Sequence, residues 1–194
     1  TDTITNVRIL RFADGDVVLG SATGVAFAGT AGPDGVTGTE VNDTLSGQGQ
    51  NDTLFGSGGD DAIDAGADED LIMGGLGDDT LLGGDGDDDI EDFVSGSGEN
   101  GDAGDDSIDG GAGNDTIDDL EGFNTVSGGT GDDVIRAYGT VDGGEGDDRI
   151  QYGVESAVTG NVTVTGGLGD DTISEWSFNS STAALTIDGG DGND

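Results

Sequence analysis

Residues 74–91 read GGLGDDTLLGGDGDDDIE, two consecutive nine-residue units with glycine at the first, second and fourth places, aspartate at the sixth and an aliphatic at the eighth. Working outward, the same period runs back through AGADEDLIM at 65, GSGGDDAID at 56 and GQGQNDTLF at 47 to GTEVNDTLS at 38. Forward, it passes through DFVSGSGEN at 92, GDAGDDSID at 101, GGAGNDTID at 110 and DLEGFNTVS at 119 to GGTGDDVIR at 128, without a slip. It returns as GGEGDDRIQ at 143, GGLGDDTIS at 166 and GGDGND at 189, after offsets of 15, 23 and 23 residues. A fixed internal period of this kind marks a repeat architecture.

Across these fourteen units the sixth place is aspartate in twelve: Asp43, Asp52, Asp61, Asp70, Asp79, Asp88, Asp106, Asp115, Asp133, Asp148, Asp171 and Asp194. Ser97 and Asn124 break the rule, and Glu99 alone breaks the run of aliphatics at the eighth place that extends from Leu45 to Ile173. The glycines suit a tight turn with positive φ and close backbone approach, and the three residues after the aspartate suit a short strand with one inward aliphatic. Two units then complete one coil of a flattened parallel solenoid. Stacked coils lie ~4.8 Å apart, so the aspartates of every second unit form a column. Carboxylates at that spacing repel unless a cation separates them. Carboxylate and carbonyl oxygens together suit Ca²⁺, which takes six to eight hard oxygen donors, better than Mg²⁺, which demands a rigid octahedron.

The spacing predicts one column of Asp43, Asp61, Asp79, Ser97, Asp115 and Asp133 and a second of Asp52, Asp70, Asp88, Asp106 and Asn124, with Asp148, Asp171 and Asp194 extending the first. Nine intact neighbouring pairs are expected, hence about nine calcium ions, with a gap at Ser97. Nine divalent ions would bring the net charge from −39 to about −21. Beyond Gly128 the second edge is expected to be a metal-free loop of variable length, with strands such as Val162 to Thr165 and Leu185 to Asp188 leading back into each glycine turn.

Composition narrows the function classes. The 194 residues hold 42 glycines, 43 acidic residues, four arginines and no histidine, cysteine or lysine. A net charge of −39 repels nucleic acid and anionic membranes, and no apolar run is long enough to span a bilayer. Imidazole and thiol nucleophiles, catalytic triads and Schiff-base chemistry all lack a required part, so no enzyme is expected. Gly96 to Gly101 spells GxGxxG without a strand-turn-helix context, and Asp85 to Glu91 resembles an EF-hand loop but has Ile90 where that loop needs glycine. The aromatics Tyr138, Tyr152, Trp176 and Phe178 are expected to cap the core.

Units such as GGLGDDTLL and GGAGNDTID are similar to G-G-x-G-x-D-x-U-x, where U is a large aliphatic, the repeat of the RTX or haemolysin-type calcium-binding proteins. The resemblance covers residues 38–194. It implies an all-β, calcium-bound parallel β-roll, a right-handed solenoid, in exported bacterial proteins that use type I secretion and fold outside the cell. It assigns metal ligation to the twelve aspartates above, with backbone carbonyls of Gly75, Gly77, Gly84, Gly86, Gly111, Gly113, Gly129 and Gly131. Three regions are expected: a strand-rich segment and linker at 1–35 that closes a preceding roll, a regular roll at 36–136, and a continuation at 137–194 with one calcium edge and one loop edge. The chain reads as a fragment of a larger extracellular or cell-surface protein, cut within a repeat. Its expected role is a structural or adhesive segment that rigidifies on binding calcium, within a surface, matrix or filament-forming protein and open to end-to-end self-association or a surface partner. The alternative is the secretion and folding module of an exported enzyme or toxin whose catalytic domain lies elsewhere.

Overall fold

The computed structural model describes residues 17–18, 24–92, 104–153, 161–175 and 184–194. The first part of the chain forms β1 (Val17–Val18), β2 (Ala26–Ala28), β3 (Gly35–Thr37), β4 (Thr44–Ser46), β5 (Thr53–Gly58), β6 (Ala62–Ala67), β7 (Leu71–Leu76), β8 (Thr80–Asp85) and β9 (Asp89–Asp92). There follow β10 (Ser107–Ala112), β11 (Thr116–Thr130), β12 (Val134–Glu145), β13 (Arg149–Gly153), β14 (Val162–Leu168), β15 (Thr172–Glu175) and β16 (Leu185–Asp191). Strands β4 to β13 and β15 each start just after a sixth-place aspartate. The alternation of strands puts the inward aliphatic and the first place of the following unit on the buried side, as in β6, where Ile63 and Ala65 are buried between exposed neighbours.

All pairings among the described strands are parallel, and the chain alternates between two faces. One face stacks β2, β4, β6, β8 and β10; the other stacks β1, β3, β5, β7 and β9. The aliphatics meet in register, Leu45 on Ile63 on Leu81 on one face and Leu54 on Ile72 on Ile90 on the other. The result is a parallel β-roll whose narrow core is two facing columns of aliphatic side chains, nearly all fully buried.

The stack departs from the uniform period at one place. Leu81 pairs with Ile108 and Ile90 with Ile117, each 27 residues on rather than 18. No step therefore remains for the unit at 92–100, contrary to the expectation of ten units without a slip. The reason lies in its sequence. Glu99 would occupy the inward core place, where an unpaired charge is costly, and Ser97 offers no carboxylate to the turn. Skipping the unit keeps the aliphatic columns continuous. Ser97 itself, like Trp176, Phe178 and the Gly96 to Gly101 sequence, lies outside the described residues.

In the last coils the steps are 15 and 23 residues on one face, Ile135 to Ile150 to Ile173, and 15, 23 and 23 on the other, Val126 to Val141 to Val164 to Ile187. These match the sequence offsets. Here β11 and β12 run as strand from one face to the other, where the sequence predicted a loop edge. Ala137, Val141, Tyr152, Val162 and Val164 are buried in this part, which accommodates a wider core than the glycine turns allow. Tyr152 meets the core-capping expectation; Tyr138 is half-buried.

The segment around Pro33, expected as a linker or irregular coil, carries β2 and β3 instead, stacked on β4 and β5 with Phe27 over Leu45 and Val36 over Leu54. Its described part is roll. The sequence signal was present: GTAGPDGVT, starting at Gly29, has glycine at the first and fourth places, Asp34 at the sixth and Val36 at the eighth.

Candidate metal sites

Each sixth-place aspartate closes a turn by accepting a hydrogen bond from the backbone N–H of its counterpart in the preceding coil. The backbone N–H of Asp43 donates to Oδ1 of Asp61 at 2.7 Å, Asp61 to Asp79 at 2.7 Å, Asp79 to Asp106 at 2.7 Å and Asp106 to Oδ1 of Asn124 at 2.9 Å. On the opposite edge Asp34 donates to Asp52 and Asp52 to Asp70, both at 2.7 Å, then Asp70 to Asp88 at 2.9 Å and Asp88 to Asp115 at 2.8 Å. The series continues from Asp115 to Asp133 at 2.8 Å, Asp133 to Asp148 and Asp148 to Asp171 at 2.9 Å, and Asp171 to Asp194 at 3.1 Å.

These chains correct the expected columns. Skipping one unit exchanges the edges, so Asp106 follows Asp79 and Asp115 follows Asp88; Ser97 leaves no gap between them. Eight of the nine expected neighbour pairs occur. The pair of Asp88 with Asp106 does not, and three others appear, Asp34 with Asp52, Asp79 with Asp106 and Asp88 with Asp115, making eleven aspartate-to-aspartate steps. The expected termination at Asn124 holds: Asn124 keeps the turn hydrogen bond, and Gly139 stands over it in the next coil. The longer edge is carried on by Asp133, Asp148, Asp171 and Asp194.

The second carboxylate oxygens face a different environment. Oδ2 of Asp52, Asp61, Asp70, Asp88, Asp115, Asp133, Asp148 and Asp171 is buried without a hydrogen-bond partner. Burial pushes the carboxyls of Asp61, Asp70, Asp88, Asp115 and Asp148 up to about 6 and that of Asp133 up to about 7; the N–H each accepts opposes this, and neighbouring carboxylates add to it. Asp52 is raised by the same cause. A row of buried anions with unsatisfied oxygens is costly unless protons or cations compensate. Asp43 differs, because its Oδ2 accepts the N–H of Thr39 at 2.5 Å, and Oδ2 of Asp34 likewise accepts from Thr30 at 2.6 Å.

Space around these oxygens depends on glycine. A side-chain carbon at the first place would collide with the sixth-place Oδ2 and with the first-place carbonyl of the following coil: at Gly110 with Asp115 and Gly128, at Gly83 with Asp88 and Gly110. The carbonyls point the same way. Those of Gly77, Gly84, Gly86, Gly111, Gly113, Gly129 and Gly131 each abut the matching glycine of the next coil so closely that a Cβ there would clash. Gly75 faces Ser57 of the preceding coil, and its N–H donates to Asp92. Buried carboxylate oxygens and backbone carbonyls thus share gaps between coils, a donor set that fits a hard, adaptable cation such as Ca²⁺. Where glycine is missing the turn keeps its shape at a cost: Gln48, Gln50, Ser57 and Asp68 hold φ values of 84°, 67°, 88° and 78°, strain of order 1 kcal/mol or more each.

A second ladder was not anticipated from the sequence. Fifth-place side chains accept N–H groups in the opposite direction, Asp60 from Asp78 at 3.2 Å, Asp78 from Asp105 at 3.0 Å, Asp87 from Asn114 and Asn114 from Asp132 at 2.8 Å. The signal lay in the recurring DD and ND pairs. Adjacent peptide N–H groups are thereby bound from opposite sides, which satisfies exposed turn amides and orients the sixth-place carboxylates inward.

Substituting Gly110 with alanine should force the Asp115 carboxylate aside and lower stability in saturating calcium by about 1–3 kcal/mol. An Ala112→Ser change at the exposed third place of the same turn should leave it unaltered. Thermal melts of the two variants in calcium make the comparison, and equal melting points would show that the cradle does not require glycine.

No curated protein matches the chain. The family described as the RTX calcium-binding nonapeptide repeat (four copies) matches residues 37–72, 66–91, 100–118, 118–139, 140–153 and 157–174, well over half of the chain. With its glycine turns, inward aliphatics and stacked sixth-place aspartates, this calcium-binding β-roll belongs to the RTX nonapeptide repeat family.

Proposed function

We propose that this chain is a non-catalytic structural segment of an extracellular protein, one that folds and stiffens when calcium fills the gaps between its coils. The single observation that carries this reading is the pair of columns of stacked sixth-place aspartates, in which the buried second oxygens of Asp52, Asp61, Asp70, Asp88, Asp115, Asp133, Asp148 and Asp171 find no donor within the protein. Calcium there would supply positive charge between stacked carboxylates. Its ligands are the aspartates Asp43, Asp52, Asp61, Asp70, Asp79, Asp88, Asp106, Asp115, Asp133, Asp148, Asp171 and Asp194, joined by Asp34, with second- and fourth-place carbonyls such as those of Gly84, Gly86, Gly111 and Gly113. The edge beyond Asn124, crossed by β11 and β12, carries no ion. Because each coil touches only its neighbours, occupancy of successive gaps stiffens the roll along its length. That property serves a surface, matrix or filament protein. Among the described residues no helix is long and apolar enough to cross a membrane.

With EGTA at pH 7.5 the chain should be expanded and poor in β structure, since −39 charges oppose compaction. Calcium at about 0.1–1 mM, the range of extracellular modules, should compact it. Circular dichroism and small-angle scattering through a calcium titration provide the measurement. A compact, β-rich chain in EGTA at that pH would overturn the reading.

A further inference from the structure

At the junction where one unit is skipped, the end of β9 brings an additional carboxylate to the first column. Asp92 occupies the first place of the unit at 92–100, not a sixth place, yet it is buried, 1% exposed. Carboxylate oxygens of Asp79, Asp92 and Asp106 all lie within 4.8 Å of one another. Oδ1 of Asp92 accepts the N–H of Gly75 at 2.6 Å, while its Oδ2 is buried with no hydrogen bond.

The position of Asp92 explains what it replaces. At Gly56, a first-place glycine one coil earlier, an added carbon would meet Oδ2 of Asp61 and the carbonyl oxygen of Gly74. At Gly74 the corresponding neighbours are Oδ2 of Asp79, 2.5 Å away, and Oδ1 of Asp92, 2.7 Å away. A carboxylate therefore stands where a neutral carbonyl stands in the regular gaps. Asp119, also buried, is the register neighbour of Asp92 on β11 and adds negative potential from the next coil. Calcium affinity rises with ligand charge when the geometry is already set.

We propose that Asp79, Asp92 and Asp106 form a three-carboxylate calcium site, different in kind from the two-carboxylate gaps, that fills first and ties the two halves of the roll together at the skipped unit. The proposal rests on the calcium reading above. Flow dialysis of the whole chain with radioactive calcium, from micromolar upward, reads it directly. Wild type should retain one ion at a concentration about tenfold below that needed for the others. Asp92→Asn should lose that ion and keep the rest, and Asp85→Asn, at an exposed third place, should keep it. Gly74→Ala removes none of the three carboxylates but presses a methyl group against those of Asp79 and Asp92, so it should lose the same ion by an independent route. Circular dichroism in millimolar calcium identifies which variants are folded. A folded Asp92→Asn or Gly74→Ala variant that retains the tight ion, or a wild type with one uniform class of sites, would overturn this site while leaving calcium binding intact. Wild type binding no calcium would instead overturn the functional reading.

Discussion

Replacing Leu81 with aspartate should cut the roll in two. Leu81 is fully buried and stacks between Ile63 and Ile108, next to the step where one unit is skipped. The core there is a single aliphatic thick on each face, so no second layer can relax around a charge. Loss of the leucine contacts costs about 2–5 kcal/mol, and burying an unpaired carboxylate adds to it. Coils exchange stability only with their neighbours, so the damage stops propagating once the two segments separate. Hydrogen exchange in saturating calcium should show protection lost over β6, β8 and β10 and kept over β12 to β14. Leu81→Met, of similar volume, should cost less than about 1.5 kcal/mol. Uniform protection in the Leu81→Asp chain would mean that the aliphatic columns do not hold the coils together.

Acid should do to the calcium-free chain part of what calcium does at neutral pH. The folded roll holds Asp61, Asp70, Asp88, Asp115 and Asp148 up to about 6 and Asp133 up to about 7, against an ordinary value of 3.8. Between those limits the folded state binds more protons than the unfolded state, so stability falls as pH rises, by about 1.4 kcal/mol per pH unit for each proton of difference. Below about pH 4 both states are protonated and the penalty is gone. In EGTA, therefore, dilute chain should gain β structure as pH falls from 7.5 to 5. With calcium the sign reverses, because protons and calcium compete for the same oxygens: the calcium midpoint should rise as pH drops below 7. Parallel calcium titrations at pH 5, 6 and 7.5 followed by circular dichroism test both. A calcium-free chain equally unfolded at pH 5 and 7.5 would show that these carboxylates are not the groups opposing the fold.

Much of the architecture was legible in residues 74–91 because the repeat is locally self-consistent. Glycine at the second and fourth places meets positive φ, as at Gly84 and Gly86, and the eighth-place aliphatic meets the core. The irregular offsets of 15 and 23 were also readable, since each unit after Gly128 keeps its own glycine turn. Less visible were residues whose role depends on a neighbour in the stack. Asp34 sits in a unit that lacks the second glycine and contains Pro33, which made it resemble a linker. Asp92 has no motif position that marks it.

The sequence by itself determined the repeat, the turn chemistry, the inward aliphatics and which residue type closes each turn, because each of these is set by the residue types at fixed places within one nine-residue unit. Only the tertiary structure decided which aspartates are neighbours. That choice is made by continuity of the core: a unit that would put Glu99 among buried aliphatics is passed over, Ile108 takes its place on Leu81, and the two columns exchange edges. The same skip brings Asp92 to Asp79 and Asp106, a meeting of carboxylates that no spacing along the chain encodes.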